Sequence, residues 1–344
     1  MDYTACGSVQ NKVSCLFRTI SLEEPSKKRS YQAYRVIASD EIKEVAHDHD
    51  LEKALVTEKL DGTCVYAQEF RGKPWLWARL DRKPNKLAEK QLRKVQANQR
   101  LWEKEGKMGP RPDITWDVLK DFKAVPIDWI PATGVDIVND IPQPDQNGHI
   151  PGWVPLDPSS RQHCWHLTTV DLENGIALVL RHINKHGAQQ ERMLQISLVP
   201  LAEIARHTLE LIGTNINGNP YGLGCKQHPL HLLVVHGSIH CHSPPKPDHK
   251  SIMDWFSSCS EGRIEGIVWH CKDGQLFKLH RHHLGLEWPV ENLHLNSLPV
   301  KIDIDLSQYE LECDHTSQIR KLAKLDGQTV PHLNDLLKDG VTGQ

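Results

Sequence analysis

No run of apolar residues in this 344-residue chain approaches the length of a membrane span, and residues 1–30 lack the apolar stretch of a secretory leader. The nine cysteines are scattered, odd in number and never spaced as C-x-x-C, which argues against a disulfide framework and for thiols in a reducing compartment. With no H-E-x-x-H either, the histidine groups His228, His231, His236 and His280, His282, His283 lack the frame of a zinc site. An excess of basic charge is also missing: the net charge is −3, so any polyanion must be held by a local patch. A cytoplasmic address follows, with the nucleus as the alternative, and a monomer is expected.

What remains is the composition of a globular enzyme, 39% hydrophobic and 25% charged, in a chain long enough to bury a substantial core. Strands are expected at Val13–Ile20, Tyr34–Ile37, Leu55–Lys59, Thr63–Phe70, Ile176–Leu180, Leu194–Val199, Leu209–Gly213, Leu230–Val235, Gly266–His270 and Leu276–Leu279. Lys86–Glu105 reads as an exposed basic helix, carrying Lys86, Lys90, Arg93, Lys94 and Arg100. Ser251–Ser258 and Ile319–Leu325 are shorter helices, with Leu333–Lys338 as a continuation. The Pro-, Gly- and Trp-rich stretch from Pro110 to Pro158 predicts an ordered insertion with little regular structure.

The sharpest local signal is Thr57-Glu58-Lys59-Leu60-Asp61-Gly62-Thr63, in which Asp-Gly predicts a hairpin turn between two strands. A rigid lysine at such a bend suits covalent nucleotidyl transfer, provided that desolvation or nearby positive charge keeps the amine partly unprotonated and that it is aimed at an α-phosphate. The four letters alone decide little, because Lys324-Leu325-Asp326-Gly327 repeats them near the C-terminus, with no further motif after it. Only Lys59 is followed by an ordered set: Glu210 in Leu209–Gly213, Glu265 before Gly266–Val268, and Lys278 in Leu276–Leu279. Alternation puts each polar side chain on one face of its strand, so three strands could line a nucleotide pocket beside Lys59. Cys64, close by, reads as a packing residue.

In this order of motifs the sequence resembles the covalent nucleotidyltransferase superfamily of ligases and capping enzymes. Glu58-Lys59 with Gly62-Thr63 is similar to the nucleophile motif of phage-type RNA ligases, and Arg79 falls where those carry an arginine that engages RNA ends. Leu76–Pro84, Gly213–Pro220 and His280–Gly285 resemble the animal 5′-to-3′ RNA ligases, a likeness running from about Gly7 to Pro299. Cys64 stands where DNA ligases place an arginine, which argues against that branch. His280 replaces the usual second lysine of motif V; Arg281 is the alternative cation, although alternation points it away.

The resemblance implies an α+β fold, an ATP-grasp-like nucleotidyltransferase domain on antiparallel sheets with flanking helices, over residues 1–300 with the insertion at about 107–165. Residues 301–344 would form a small helical appendage, too short for a full OB domain. It implies an ATP-dependent RNA ligase, acting in RNA repair, that joins a 5′-phosphate to a 3′-hydroxyl through lysyl-AMP on Lys59 and an adenylylated RNA end. ATP is the substrate and Mg2+, or Mn2+ in its place, the ion. Glu58, chiefly through its backbone, Leu60, Arg79, Glu210, Glu265 and Lys278 would bind nucleotide, Glu210 and Glu265 also metal, and Arg79, Arg82 and Lys83 RNA. A capping guanylyltransferase, a DNA ligase and a non-catalytic RNA-binding module are the competing readings.

Overall fold

Strands carry this fold. The computed structural model describes residues 8–25, 34–184, 192–311 and 317–336, in which sheets outweigh helices and antiparallel pairing dominates, as expected for an α+β protein. The chain divides into two compact units, Met1–Ala78 with Leu156–Gln344, and Arg79–Pro155. The second unit contains the basic helix and most of the stretch 107–165. Cys6, Cys313 and the end of the expected Leu333–Lys338 helix lie outside the described residues.

In the first unit the main strands are β1 (Ser14–Cys15), β2 (Phe17–Leu22), β3 (Arg35–Ile42), β4 (Leu55–Lys59), β5 (Thr63–Phe70), β6 (Lys73–Arg79), β7 (Ile176–Asn184), β8 (Arg192–Pro200), β9 (Thr208–Gly213), β10 (His231–Val235), β11 (Gly266–His270), β12 (Leu276–His280), β13 (Val300–Asp303) and β14 (Thr329–Val330). A small sheet runs β1-β12-β11-β4, and a large one contains the run β14-β13-β8-β7-β10-β9-β5-β6. One face of the small sheet, through Val56, Ile267, Trp269, Phe277 and Leu279, packs on Ile252, Trp255 and Phe256 of the helix His249–Ser258. That helix is started by Asp248, whose side chain accepts from the Ser251 amide.

The predicted hairpin does not form. β4 pairs with β11 and β5 with β9, so the chain leaves one sheet at Lys59 and enters the other at Thr63. Gly62 permits the crossing: a Cβ there would lie 2.3 Å from the carbonyl oxygen of Leu211 and 2.8 Å from Cγ of Glu210. The Asp-Gly signal is a turn signal, but nothing in it dictates that the flanking strands pair with each other.

The expected C-terminal appendage is built into the large sheet. β13 runs parallel to β8, β14 pairs with β13, and the helix Ser317–Ala323 buries Ile319 and Leu322 in the same apolar core as Leu178, Leu232 and Val300. The second copy of the lysine motif follows this helix. Lys324 is exposed, Leu325 is core, Asp326 accepts from the Ile304 amide, and Gly327 has φ +76°. It forms the turn after the helix, in which the Gln328 amide donates to the Leu325 carbonyl and Gly327 takes the left-handed conformation that glycine favours.

Candidate active site

The register of the small sheet sets out the first half of the site. Lys59 lies opposite Gly266, which lies opposite His280, while Lys278 pairs with Val268 and Cys15. Directly opposed residues share a face, so Lys59, Lys278 and His280 project together. Gly266 has no room for a side chain, since a Cβ would sit 2.4 Å from the Leu279 oxygen. Glu265, just before β11 and buried, reaches the Lys59 amine at 2.5 Å.

The large sheet supplies the second half. Glu210 opposes Cys64 on one side and Val234 on the other. Its carboxylate lies 2.8 Å from Nε2 of His236, and it acts electrostatically on Lys59. The bend between the two halves is held from three directions. The Tyr221 hydroxyl accepts from the Asp61 amide at 2.9 Å, Trp288 Nε1 donates to Asp61 Oδ2 at 2.7 Å, and Asn217 Nδ2 donates to Asp61 Oδ1 at 2.9 Å and to the Gly62 carbonyl at 2.6 Å.

The charge state of Lys59 differs from the expectation of a partly unprotonated amine. Burial works to lower its pKa, but the carboxylates of Glu265 and Glu210 raise it by more, and the amine is held as an ammonium. Lys278 behaves in the opposite way, lowered to about 8 by burial first and then by the charge of Lys59. His280 is pushed far down by burial, next by His283 and then by Lys59, so a neutral imidazole stacked at 3.7 Å on His283 stands where motif V has its second lysine. Arg281 does not substitute for it: its buried guanidinium donates to the carbonyls of Ile264, Phe256 and Gly262.

Glu58 falls, by alternation, on the face opposite Lys59. Its amide donates to the Ile239 carbonyl, and its buried Oε2 has no hydrogen-bond partner. Burial, followed by Glu265 and Glu261, raises its pKa to about 8. Leu60 is buried in the core against the large sheet.

A profile of the RNA ligase 1 family matches residues 3–339. The chain is 49% identical to RNA ligase 1 of Rattus norvegicus over 97% of its own length and 98% of that protein. It is 48% identical to RNA ligase 1 of Mus musculus, again over 97% and 98%, and 45% identical to that of Danio rerio over 96% and 98%. This chain belongs to the RNA ligase 1 family.

In this member of that family Lys59 lies within electrostatic reach of Glu265, Glu210 and Lys278. The predicted RNA-contacting residues Arg79, Arg82 and Lys83 belong to the second unit. Arg79 pairs with Asp81 at 2.5 Å and lies over the Trp153 ring at 4.7 Å. Arg82 donates to the carbonyls of Lys123 and Val118, which fastens the insertion, and Lys83 is exposed. The basic helix Lys86–Lys104 is capped by Asn85 and buries Ala88 and Leu92. No helix among the described residues is long and apolar enough to cross a membrane.

The two zinc groupings do not assemble. His231 is satisfied by Thr168 and by the Thr214 carbonyl, and His228 is exposed. Tyr221, Trp288, Asn217 and His236 were missed as site residues, since no local pattern ties them to Lys59. Gly213–Pro220 did stand out as one of the family-like stretches, and it contains Asn217.

Proposed function

We propose that this chain is an ATP-dependent RNA ligase that joins a 5′-phosphate to a 3′-hydroxyl through Lys59-AMP and an adenylylated RNA end, on a nucleotidyltransferase fold. The observation that carries the reading is the convergence of Glu265, Glu210 and Lys278 on the Lys59 amine in a member of the RNA ligase 1 family.

Lys59 attacks the α-phosphorus of ATP as the free amine, forming the N–P bond as the α–β phosphoanhydride bond breaks and pyrophosphate leaves, so the amine proton must be lost first. Glu265, 2.5 Å away, accepts it. Lys278 then offers a cation on the same sheet face to the charge that develops on the α-phosphate. Glu265 and Glu210 both bring carboxylates to Lys59, and carboxylate oxygens are the donors that Mg2+ or Mn2+ would need. Glu265 and Glu210 would hold the ion, which supplies charge neutralisation at the phosphates. Leu60 supports the motif from the core, Glu58 contributes through its backbone, and Arg79, Arg82, Lys83 and the basic helix of the second unit contribute contacts to RNA.

The test is the mass of the intact protein after incubation with ATP and Mg2+, beside Lys59→Ala. A gain of one AMP in the parent alone is expected. No gain under any metal condition would leave a non-catalytic RNA-binding module, transfer from GTP would indicate a capping enzyme, and preference for nicked DNA over RNA a DNA ligase.

A further inference from the structure

One side-chain cluster is only partly absorbed by this chemistry. Cys64 on β5 and Glu210 on β9 are directly opposed and share a face, and His236 follows β10, in which Val234 opposes Glu210. A thiol sulfur, a carboxylate oxygen and an imidazole nitrogen from these three residues lie within 4.8 Å of one another. All three side chains are partly accessible, so an ion can reach them without unfolding.

Thr208 orients the ring. Its Oγ1 lies 2.8 Å from Nδ1 of His236 and accepts the Val9 amide at 2.7 Å. A hydroxyl both donates and accepts. With the proton on Nε2, the ring donates to Glu210 and receives the threonine proton at Nδ1. In the other tautomer Nδ1–H donates to Thr208, and the Nε2 lone pair is released toward Cys64 and Glu210. A hydrogen-bond partner on the distal nitrogen is what fixes a metal-binding imidazole.

Sulfur and imidazole together are a poor set for Mg2+, which takes oxygen, and a good one for a borderline-soft ion. We propose that Cys64, Glu210 and His236 form a Zn2+ site with a fourth position left open. On binding, the thiol gives its proton to solvent, while His236 changes tautomer with no net proton change. The site does not depend on the ligase reading. If that reading holds, zinc also withdraws Glu210 from its work beside Lys59.

The other three-residue cluster among the described residues, His49, Cys271 and Asp273, has its thiol sealed in the core, and it serves as the control. The full chain, freed of metal with a chelator, is titrated with Co2+ and then Zn2+. One equivalent of Co2+ should produce a near-ultraviolet thiolate-to-cobalt band that Zn2+ bleaches. Cys64→Ser should abolish the band, Thr208→Val should weaken binding by about 10-fold to 100-fold, and Cys271→Ser should change nothing. Zn2+ should also shield Cys64 of the parent protein from alkylation, read by peptide mass mapping, which needs no variant to fold. Absence of the band together with unshielded Cys64, or a band lost only in Cys271→Ser, would overturn the proposal.

Discussion

The amine of Lys59 and the carboxylate of Glu265 meet at 2.5 Å although 206 positions separate them in sequence. The contact holds the nucleophile in place and in its protonated form, so the same carboxylate both restrains and releases it. Replacing Glu265 by Gln should shift the reaction of Lys59 with an amine-acylating reagent downward by about one pH unit. AMP transfer should fall by about 100-fold or more, because the proton acceptor is gone. Unchanged transfer would remove Glu265 from the mechanism.

The two copies of the lysine motif make an internal comparison. Gly62→Ala puts a methyl against the Leu211 carbonyl and should cost about 3 kcal/mol with loss of adenylylation. Gly327 has open space around its Cα and only a positive φ to lose, so Gly327→Ala should cost about 1 kcal/mol and spare AMP transfer. Denaturant melts and intact mass read both.

Trp288 donates to Asp61 from 227 positions away. Trp288→Phe keeps most of the ring and removes that donor, so about 1–2 kcal/mol of stability is at stake. The larger effect should fall on the rate of adenylylation rather than on the affinity for ATP, since the bend aims Lys59. An effect confined to ATP affinity would argue against aiming.

Glu58 gives a pH signature. Its folded pKa, raised to about 8 by burial and then by Glu265 and Glu261, lies above its unfolded value. The stability that its neutral form contributes is therefore complete below about pH 4.5 and is lost as pH rises through about 8. Glu58→Gln should match the parent near pH 4.5 and exceed it at pH 8.5, by on the order of 3 kcal/mol. Equal urea midpoints at pH 8.5 would show that Glu58 is ionised at no cost.

Neutralising Lys86, Lys90 and Lys94 on the helix Lys86–Lys104 should weaken RNA joining and flatten its salt dependence while sparing Lys59 adenylylation. Equal loss of both activities would make the helix structural rather than RNA-binding.

Much of the site was legible because its strands are short apolar runs with one charged residue in or beside each. Leu209–Gly213, Gly266–His270 and Leu276–Leu279 all fall within observed strands. Strand partnership was not legible. The same Asp61-Gly62 that marks a turn gave a false hairpin, since nothing local says that Thr63 opens a different sheet from the one Lys59 closes. The basic, polar stretch Lys86–Glu105 gave a helix but no sign that it belongs to the second unit. Asn217, Trp288 and His236 act across the fold through one or two hydrogen bonds each, which leave no periodic trace.

Because Lys59 closes one ladder of strands and Thr63 begins another, the three residues between them have no slack. An extra residue there could not be taken up by slipping one strand along its neighbour, because each side is pinned by a different partner. The spacing of the motif is therefore a dimension of the molecule, and transplanting it into another protein would require two sheets set at the same separation.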